Sequence, residues 1–371
     1  MLAGRCGIGP ITIPTDRIST RIAAQVHGFE PLDHFDARRM TLLDRSAQLA
    51  LVAGREAVQD AGLQPDPAHA SRRGAVLGAA IGQTSLDDAY RVFYGEGASR
   101  VHPLTVPRLM PNAAASHLTM EFGLRGPSYA VASACASANH AIAQAADLIR
   151  MGRAEIMLTG GADASIVVGV MKCWEGLRVL SAEGCRPFSR DRSGLVLGEG
   201  AAVLVLEEWD HARRRGVHIH AELAGSGMSA DALDLTAPDA GGAAAAMQAA
   251  LDDAELDAGA IGYVNAHGTG TRLNDRTESN ALHLVFGAHP PPVSSVKGAI
   301  GHCLSAAGAL EAVATVLALR GTLPPTTGFA VRDPECDVDP LPEARHVQVE
   351  AALSNSFAFG GLNAVLAFRR A

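Results

Sequence analysis

Apolar residues recur at helical spacing through LDRSAQLALVAGREAVQDAGL (Leu43 to Leu63), and a glycine stands near the end of the run. That pattern predicts an amphipathic helix with a C-terminal stop. GAVLGAAIG (Gly74 to Gly82) then reads as a buried strand, with AEIMLTGGADAS and GLVLGEGAAVLVLEE as further strands between helices. Continuous apolar strands separated by helices predict an α/β fold, with a mostly parallel sheet covered on both faces. Beyond EEWDHARRRGVHIHAEL a second cycle starts: strand AELAGSGM, helix GGAAAAMQAALDDAEL, strand IGYVNAHGTGT, helix NDRTESNALHLVFG, strand PPVSSVKG and helix SAAGALEAVATVLALRG. The C-terminal part repeats the layering of the first, which divides the chain into residues 1–212 and 213–371. The proline-rich connection Thr322 to Ala344 reads as an ordered surface loop, because strand-like VQVEAALSNSFAF follows it.

At 371 residues the chain is long enough for two associated halves and a sizeable core. The formal net charge is -8 with no long Lys/Arg run, which argues against the electrostatic footprint of a nucleic-acid binder. The densest basic patch, His211 to Gly216, reads as a solvated helix end. No apolar stretch reaches the roughly 18 residues that span a bilayer, and MLAGRCGIGP lacks the features of a signal peptide. A cytoplasmic protein with no membrane partner is expected. Cys6, Cys135, Cys173, Cys185, Cys303 and Cys336 are scattered with no CxxC pair, so reduced thiols are expected and no metal site is.

In VASACASANHAIAQAADLIRMG, Cys135 stands where an apolar run passes into a long helix. Peptide dipoles and unpaired N–H groups at a helix N-terminus favour thiolate over thiol, and such placements lower a cysteine pKa from about 8.5. A small buried hydrophobe among alanines and serines fits the same residues equally well. Two histidines favour the reactive reading. NAHGTGT puts His267 in a glycine-rich turn just after an apolar strand, and KGAIGHCLSAAGALEA puts His302 between strand and helix, five positions after Lys297. Strand ends of parallel sheets are where ligands bind. A thiolate holds an acyl group by attacking a thioester, and two neutral imidazoles stabilise the enolate formed when a second thioester loses carbon dioxide. NSFAFGGLN supplies a turn whose N–H groups complete an oxyanion hole, although alone it is also an ordinary turn before a final strand. The sequence holds no GxGxxG, Walker loop, GxSxG or HExxH.

GPSYAVASACASANHAI, RPFSRDRSGLVLGEGAAVLVLE, VNAHGTGTRLNDRTE, SVKGAIGHCLSAAGALEA and SNSFAFGGLNAVL follow one another along nearly the whole chain. Together they resemble the elongating β-ketoacyl-[acyl-carrier-protein] synthases of fatty acid and type II polyketide synthesis. The resemblance implies a thiolase-like duplicated fold, two similar α/β halves in a layered αβαβα arrangement. It implies Cys135 as the acylated nucleophile and His267 and His302 as the pair that supports decarboxylation and condensation. Lys297 and Glu311 match the residues that keep the His302 site in order. Phe359 matches a gating phenylalanine whose N–H joins that of Cys135 in the oxyanion hole. Thr269 and Thr271, with Thr236 and Phe357, match substrate-binding positions along the phosphopantetheine arm. No redox cofactor is implied, and phosphopantetheine arrives on the partner acyl carrier protein. Asn265, Glu278, Glu311, Ser354 and Asn355 match a monovalent cation site of some relatives. A homodimer, or a heterodimer with a related ketosynthase-like subunit, is implied as well.

Three departures from the family pattern stand out. The chain opens at MLAGRCGIGP, without the family's first strand and short helix, and that strand is expected at the centre of the first half's sheet. The basic residues that precede the "MD" dipeptide in relatives are replaced by MTLLD, leaving Arg38 and Arg39 to take their place in carrier docking. Ser305 replaces a usual glycine and FAFGGLN the commoner FGFGGTN, changes that point to a specialised acyl pocket. Two rival readings remain at this point: a non-condensing chain-length-type partner subunit, and a cysteine-dependent acyltransferase or thioesterase.

Overall fold

The computed structural model describes residues 1–14, 16–80 and 82–371, so Ile81, inside the predicted strand Gly74 to Gly82, lies outside the described residues. The first long helix, α1 (Arg45–Asp60), starts where the Asp44 carboxylate accepts from the Ser46 N–H, the usual work of an acidic N-cap. There follow β1 (Arg73–Ala79), α2 (Ala113–Phe122), β2 (Ser128–Val131), α3 (Ser137–Arg150), β3 (Ile156–Asp163) and β4 (Gly200–Glu207). Helix α4 (Trp209–Arg215) carries the basic patch on its last turn and stops at left-handed Gly216. The sequence-read division at residue 212 falls inside it. The second cycle is β5 (Glu222–Ala230), α5 (Ala240–Asp253), β6 (Ile261–Asn265), α6 (Arg272–Phe286), β7 (Val293–Ser294), α7 (Ala307–Ala318), β8 (Ala351–Ala358) and β9 (Leu362–Arg369).

The first sheet has the order β2-β1-β3-β4 and the second the order β7-β6-β8-β9-β5. With the extra edge strand β5 set aside, the second order repeats the first, so the fold is duplicated. Each sheet is mostly parallel, as the sequence pattern predicted, with one strand reversed: β4 in the first and β9 in the second. β1 lies parallel to β2 and β3, and β6 parallel to β7 and β8. The pairs β3–β4, β8–β9 and β9–β5 are antiparallel. For β8 and β9 the cause is local: only Phe359, Gly360 and Gly361 join them, and a hairpin cannot connect parallel neighbours. Gly360 and Gly361 sit at φ 86° and 68°, which glycine adopts without a Cβ clash.

The place of the unmatched strand is also corrected. Its counterpart in the second half, β5, is an edge strand that pairs only with β9. By the duplication, the matching position in the first half is the rim beside β4, not the centre of the sheet, and Ala24 bridges Gly198 just ahead of that strand. A cavity of about 360 Å³ runs there, lined by Leu49, Val52, Ala53, Ala201 and Leu310.

Helices α1 and α2 cover the outer face of the first sheet, α5 and α6 cover that of the second, and α3 and α7 lie between the sheets. Three apolar clusters hold these layers: Leu51, Leu77, Leu118 and Leu158 outside the first sheet, Ile142, Tyr263, Ala312 and Leu366 in the middle, and Met247, Leu251, Val264 and Leu282 outside the second. The middle helices bury mostly alanine, and short side chains let both sheets approach closely. At Gly78 on β1 an added Cβ would lie 2.4 Å from the Ala138 nitrogen, so the start of α3 rests on strand backbone. Because α3 follows Cys135 and α7 follows His302, this thin layer brings the chemistry of both halves to one place.

Candidate active site

Cys135 sits two residues before α3, on a tight turn that begins with left-handed Ala134 (φ 49°). The turn is closed by Ser137, whose hydroxyl donates to the Ala134 carbonyl (2.6 Å) and accepts from the Ser133 N–H (2.9 Å). Side-chain contacts of this kind replace the backbone partners that a helix start lacks. The thiol is buried, and desolvation pushes it up to about 11, against the lowering effect of Lys297. Burial thus opposes the thiolate that a helix start alone would favour. A thiol so held reacts readily only with a base at hand.

His302 is the imidazole in reach, with Nε2 3.1 Å from Cys135 Sγ. Burial, followed by Lys297, holds the His302 imidazole well below its ordinary value, so it is neutral and able to accept a proton. Its backbone is fixed by donation to the Val196 carbonyl (2.7 Å) and by acceptance from the Gly198 N–H (2.9 Å). Its Nδ1 is buried, with no hydrogen-bond partner among the described residues.

His267 follows β6 and is held by other means. The Glu278 carboxylate, reaching back from α6, accepts from the N–H groups of His267 (2.8 Å) and Gly268 (2.7 Å). Burial raises Glu278 to about 7 despite these bonds. Lys297 Nζ donates to the His267 carbonyl (2.6 Å), to Glu311 and to His267 Nδ1 (3.3 Å). An ammonium only donates, so Nδ1 accepts and the ring proton of His267 stands on Nε2. Burial, then Lys297 and His302, keeps this imidazole neutral as well. The two rings meet edge to face with centroids 5.4 Å apart, and the thiol and one nitrogen of each ring lie within 4.8 Å of one another.

The remaining predicted residues divide into near and far. Phe357 is buried with its ring 6.1 Å from that of His267. Ala358, beside Phe359, packs with Cys135 and Ala136, while the Phe359 ring is 37% exposed and stacks on Trp174 at 6.0 Å. Thr269 and Thr271 lie on the His267 turn with hydroxyls 2.9 Å apart. Thr236 is exposed and hydrogen-bonded to Asp234; its loop meets the Phe359 turn where the Gly360 N–H donates to the Leu235 carbonyl and the Asp231 N–H donates to the Gly361 carbonyl. Arg39, expected to serve in docking, is paired with Glu121 on α2, while Arg38 is exposed.

The sequence reading missed a second clamp on the His267 turn. Asp275 accepts from the N–H groups of Phe188 (2.8 Å) and Gly270 (3.2 Å) and faces buried Arg192 at 3.5 Å. A usable signal was present: Asp275 and Glu278 are three apart in NDRTESN, which puts both carboxylates on one face of α6. Asp163 and Ser305, joined across the halves, were also missed as a pair.

With this geometry in view, the relatives are informative. Residues 1–212 match the β-ketoacyl synthase N-terminal domain and residues 220–330 its C-terminal domain. The chain belongs to the β-ketoacyl synthase family. It is 48% identical to nodulation protein E of Rhizobium sp. (strain N33), over all of this chain and 93% of the relative. It is 38% identical to 3-oxoacyl-[acyl-carrier-protein] synthase 2 of Staphylococcus aureus (strain COL), over all of this chain and 92% of that protein. The solved ishigamide ketosynthase/chain length factor superposes with a TM-score of 0.94 at 37% identity, over all of this chain and 93% of that one. These likenesses extend through both halves, and the thiolase-like fold expected from the motifs is the fold observed.

Proposed function

We propose that this β-ketoacyl synthase is a decarboxylative condensing enzyme that elongates an acyl chain carried on Cys135. The single observation that carries the reading is the buried Cys135–His302 contact with His267 beside it, its ring proton set by Lys297. In the first half-reaction, sulfur attacks the acyl thioester while His302 Nε2 takes the thiol proton and passes it to the departing pantetheine sulfur. In the second, the malonyl carbon–carboxylate bond breaks, carbon dioxide leaves, and the electron pair moves onto the thioester oxygen. His267 Nε2–H donates to that oxygen. His302, whose partnerless Nδ1 leaves its tautomer free, donates there too. The enolate carbon then attacks the acyl-cysteine and expels its sulfur as thiolate, giving a β-ketoacyl thioester, and a proton from solvent returns that thiolate to the resting thiol. Phe359 gates the entrance, its N–H with that of Cys135 receives the oxyanion, and Thr236, Thr269, Thr271 and Phe357 line the path of the arm.

An acyl carrier protein is the natural donor, since the Staphylococcus relative is named for that substrate. A second ketosynthase-like subunit completes the assembly. It is supported by the free edge of β2, where Tyr129 is 37% exposed, and by exposed Met120 on α2, which packs against that strand. Scattered thiols favour a reducing, cytoplasmic setting.

The cation set fits its group. Asn265 Oδ1, Glu311 Oε2, Ser354 Oγ and Asn355 Oδ1 are buried oxygens without a hydrogen-bond partner, and all-oxygen donors suit a hard cation. With Glu278 these residues would hold a monovalent ion that supplies structural charge balance behind the histidines. Melting measured in potassium against choline tests it, with higher stability expected in potassium.

The condensing reading is tested by intact-protein mass and carbon dioxide release with acyl and malonyl carrier-protein thioesters. Added acyl mass on Cys135 with carbon dioxide release is expected. No acyl mass would favour the chain-length-type partner, and free acid without carbon dioxide would favour a thioesterase.

A further inference from the structure

β3 ends at Asp163, whose buried carboxylate takes no part in the reaction described above. Its Oδ2 accepts from the Ser305 hydroxyl (2.7 Å) and from the Ser305 N–H (3.2 Å), and its Oδ1 accepts from the Ser165 hydroxyl. The Ser305 hydroxyl also lies 3.2 Å from the Ala162 carbonyl. Ser305 stands three residues after His302, in the short turn Leu304–Ala306 that leads into α7. That turn rests on strand backbone: a Cβ on Gly161 would lie 2.8 Å from the Ser305 carbonyl oxygen and 3.1 Å from Ala306 Cα.

His302 itself has no side-chain tether, because Nε2 faces the thiol and Nδ1 has no hydrogen-bond partner. Its ring is placed by the backbone on either side. Upstream, Val196 and Gly198 fix its peptide groups. Downstream the chain passes through left-handed Leu304 (φ 46°), a conformation unfavourable for a side-chain-bearing residue. Something must hold it, and the bonds that do so come from the first half of the molecule.

We propose that Asp163 and Ser305 form a latch between β3 and the His302 turn, and act as positioning residues that set the distance from His302 Nε2 to Cys135 Sγ. Neither touches substrate. The direction of the activity change rests on the condensing reading, but the sulfur–imidazole geometry is readable without turnover.

The test uses the full chain with Ser305→Ala, Ser305→Thr and Asp163→Asn, and His302→Ala as the reference for an unassisted thiol. Iodoacetamide alkylation of Cys135, followed by intact mass across pH, reports the geometry, and carbon dioxide release from malonyl carrier protein reports its use. Lys297, Glu311 and Asp163 are the charges acting on Cys135, and Ser305→Ala leaves all three in place. Displacing a catalytic group by a fraction of an ångström should slow carbon dioxide release about tenfold in Ser305→Ala and in Asp163→Asn. Ser305→Ala should also move the alkylation profile toward that of His302→Ala, and Ser305→Thr, which restores the hydroxyl, should return both readouts to within about twofold of the parent. If Ser305→Ala melts early, the Ser305→Thr comparison decides. A parent-like alkylation profile in Ser305→Ala, or failure of Ser305→Thr to restore it, overturns the latch. If the parent releases no carbon dioxide but Ser305→Ala still moves the profile, the condensing reading falls and the latch stands.

Discussion

The two halves of the molecule fill the same strand–turn–helix slot with different chemistry. In the first half the turn before α3 carries Cys135, and in the second the turn before α7 carries His302. Each turn uses one left-handed non-glycine residue, Ala134 before the cysteine and Leu304 after the histidine. They differ in support. Ser133 and Ser137 close the first turn from within, whereas the second is held from outside by Asp163. Duplication thus sets a thiol on one turn and an imidazole on the other, facing each other at 3.1 Å. In the proposed reaction one half supplies the attacking atom, and the other supplies most of the charge and proton handling, through His267, Lys297, Glu278 and Glu311.

The contrast predicts a ladder of losses. Cys135→Ala removes the sulfur that the proposed reaction acylates and should abolish acylation and condensation, by on the order of 10⁵-fold or more, with the fold intact by melting. Retained acyl mass would remove Cys135 from the role. His267→Ala, in the second half, should leave Cys135 acylation measurable while carbon dioxide release falls on the order of 10² to 10³-fold. Equal loss in both assays would mean that the halves do not divide the labour this way.

Lys297→Met comes next. It frees His267 Nδ1, so the ring proton is no longer directed to Nε2, and carbon dioxide release should drop about a hundredfold. Because the ion pair with Glu311 is buried on both sides, the orphaned carboxylate should also destabilise the fold by about 3–5 kcal/mol, measured by denaturant unfolding. Parent-like unfolding would show that Glu311 finds another partner.

A smaller effect separates burial from dipole at Cys135. With the thiol raised to about 11, the thiolate fraction increases with pH throughout the accessible range. Alkylation of Cys135 should therefore keep rising through pH 9, more slowly than at exposed Cys6 and Cys173. A plateau below about 8.5 would mean that the helix start dominates after all.

The motifs singled out Cys135, His267 and His302, which the fold brings together, and made the duplicated α/β fold and the helices visible in advance, because these rest on local spacing and on a family-wide order of short segments. Strand pairing was less legible. An antiparallel β8–β9 hairpin and the edge position of β5 depend on connection length and on which rim a strand joins, neither of which alternating hydrophobicity encodes. Cys135 shows the same boundary in electrostatics: its place at a helix start was readable, but the depth of burial that opposes the dipole comes from Ala358 and Ala364, more than two hundred positions away. The Asp163–Ser305 pair lay in two separate motifs, and only the middle layer of the fold joins them.

The mildest prediction concerns the edge of the second half. Thr236 matches a pantetheine-binding position by motif, yet its hydroxyl is exposed and occupied by Asp234 at 3.1 Å. An exposed local bond of this kind contributes little, so Thr236→Ala should change stability by less than about 0.5 kcal/mol. If the loop carries the arm, the carrier-protein KM should rise several-fold with kcat unchanged, since a contact made equally in ground and transition states acts on binding alone. Unchanged KM would confine the pantetheine contacts to Thr269 and Thr271, whose hydroxyls already face each other on the His267 turn. In that case the second half binds the arm with the same turn that positions its imidazole, and the outer loop serves only to brace Gly360 beside the oxyanion site.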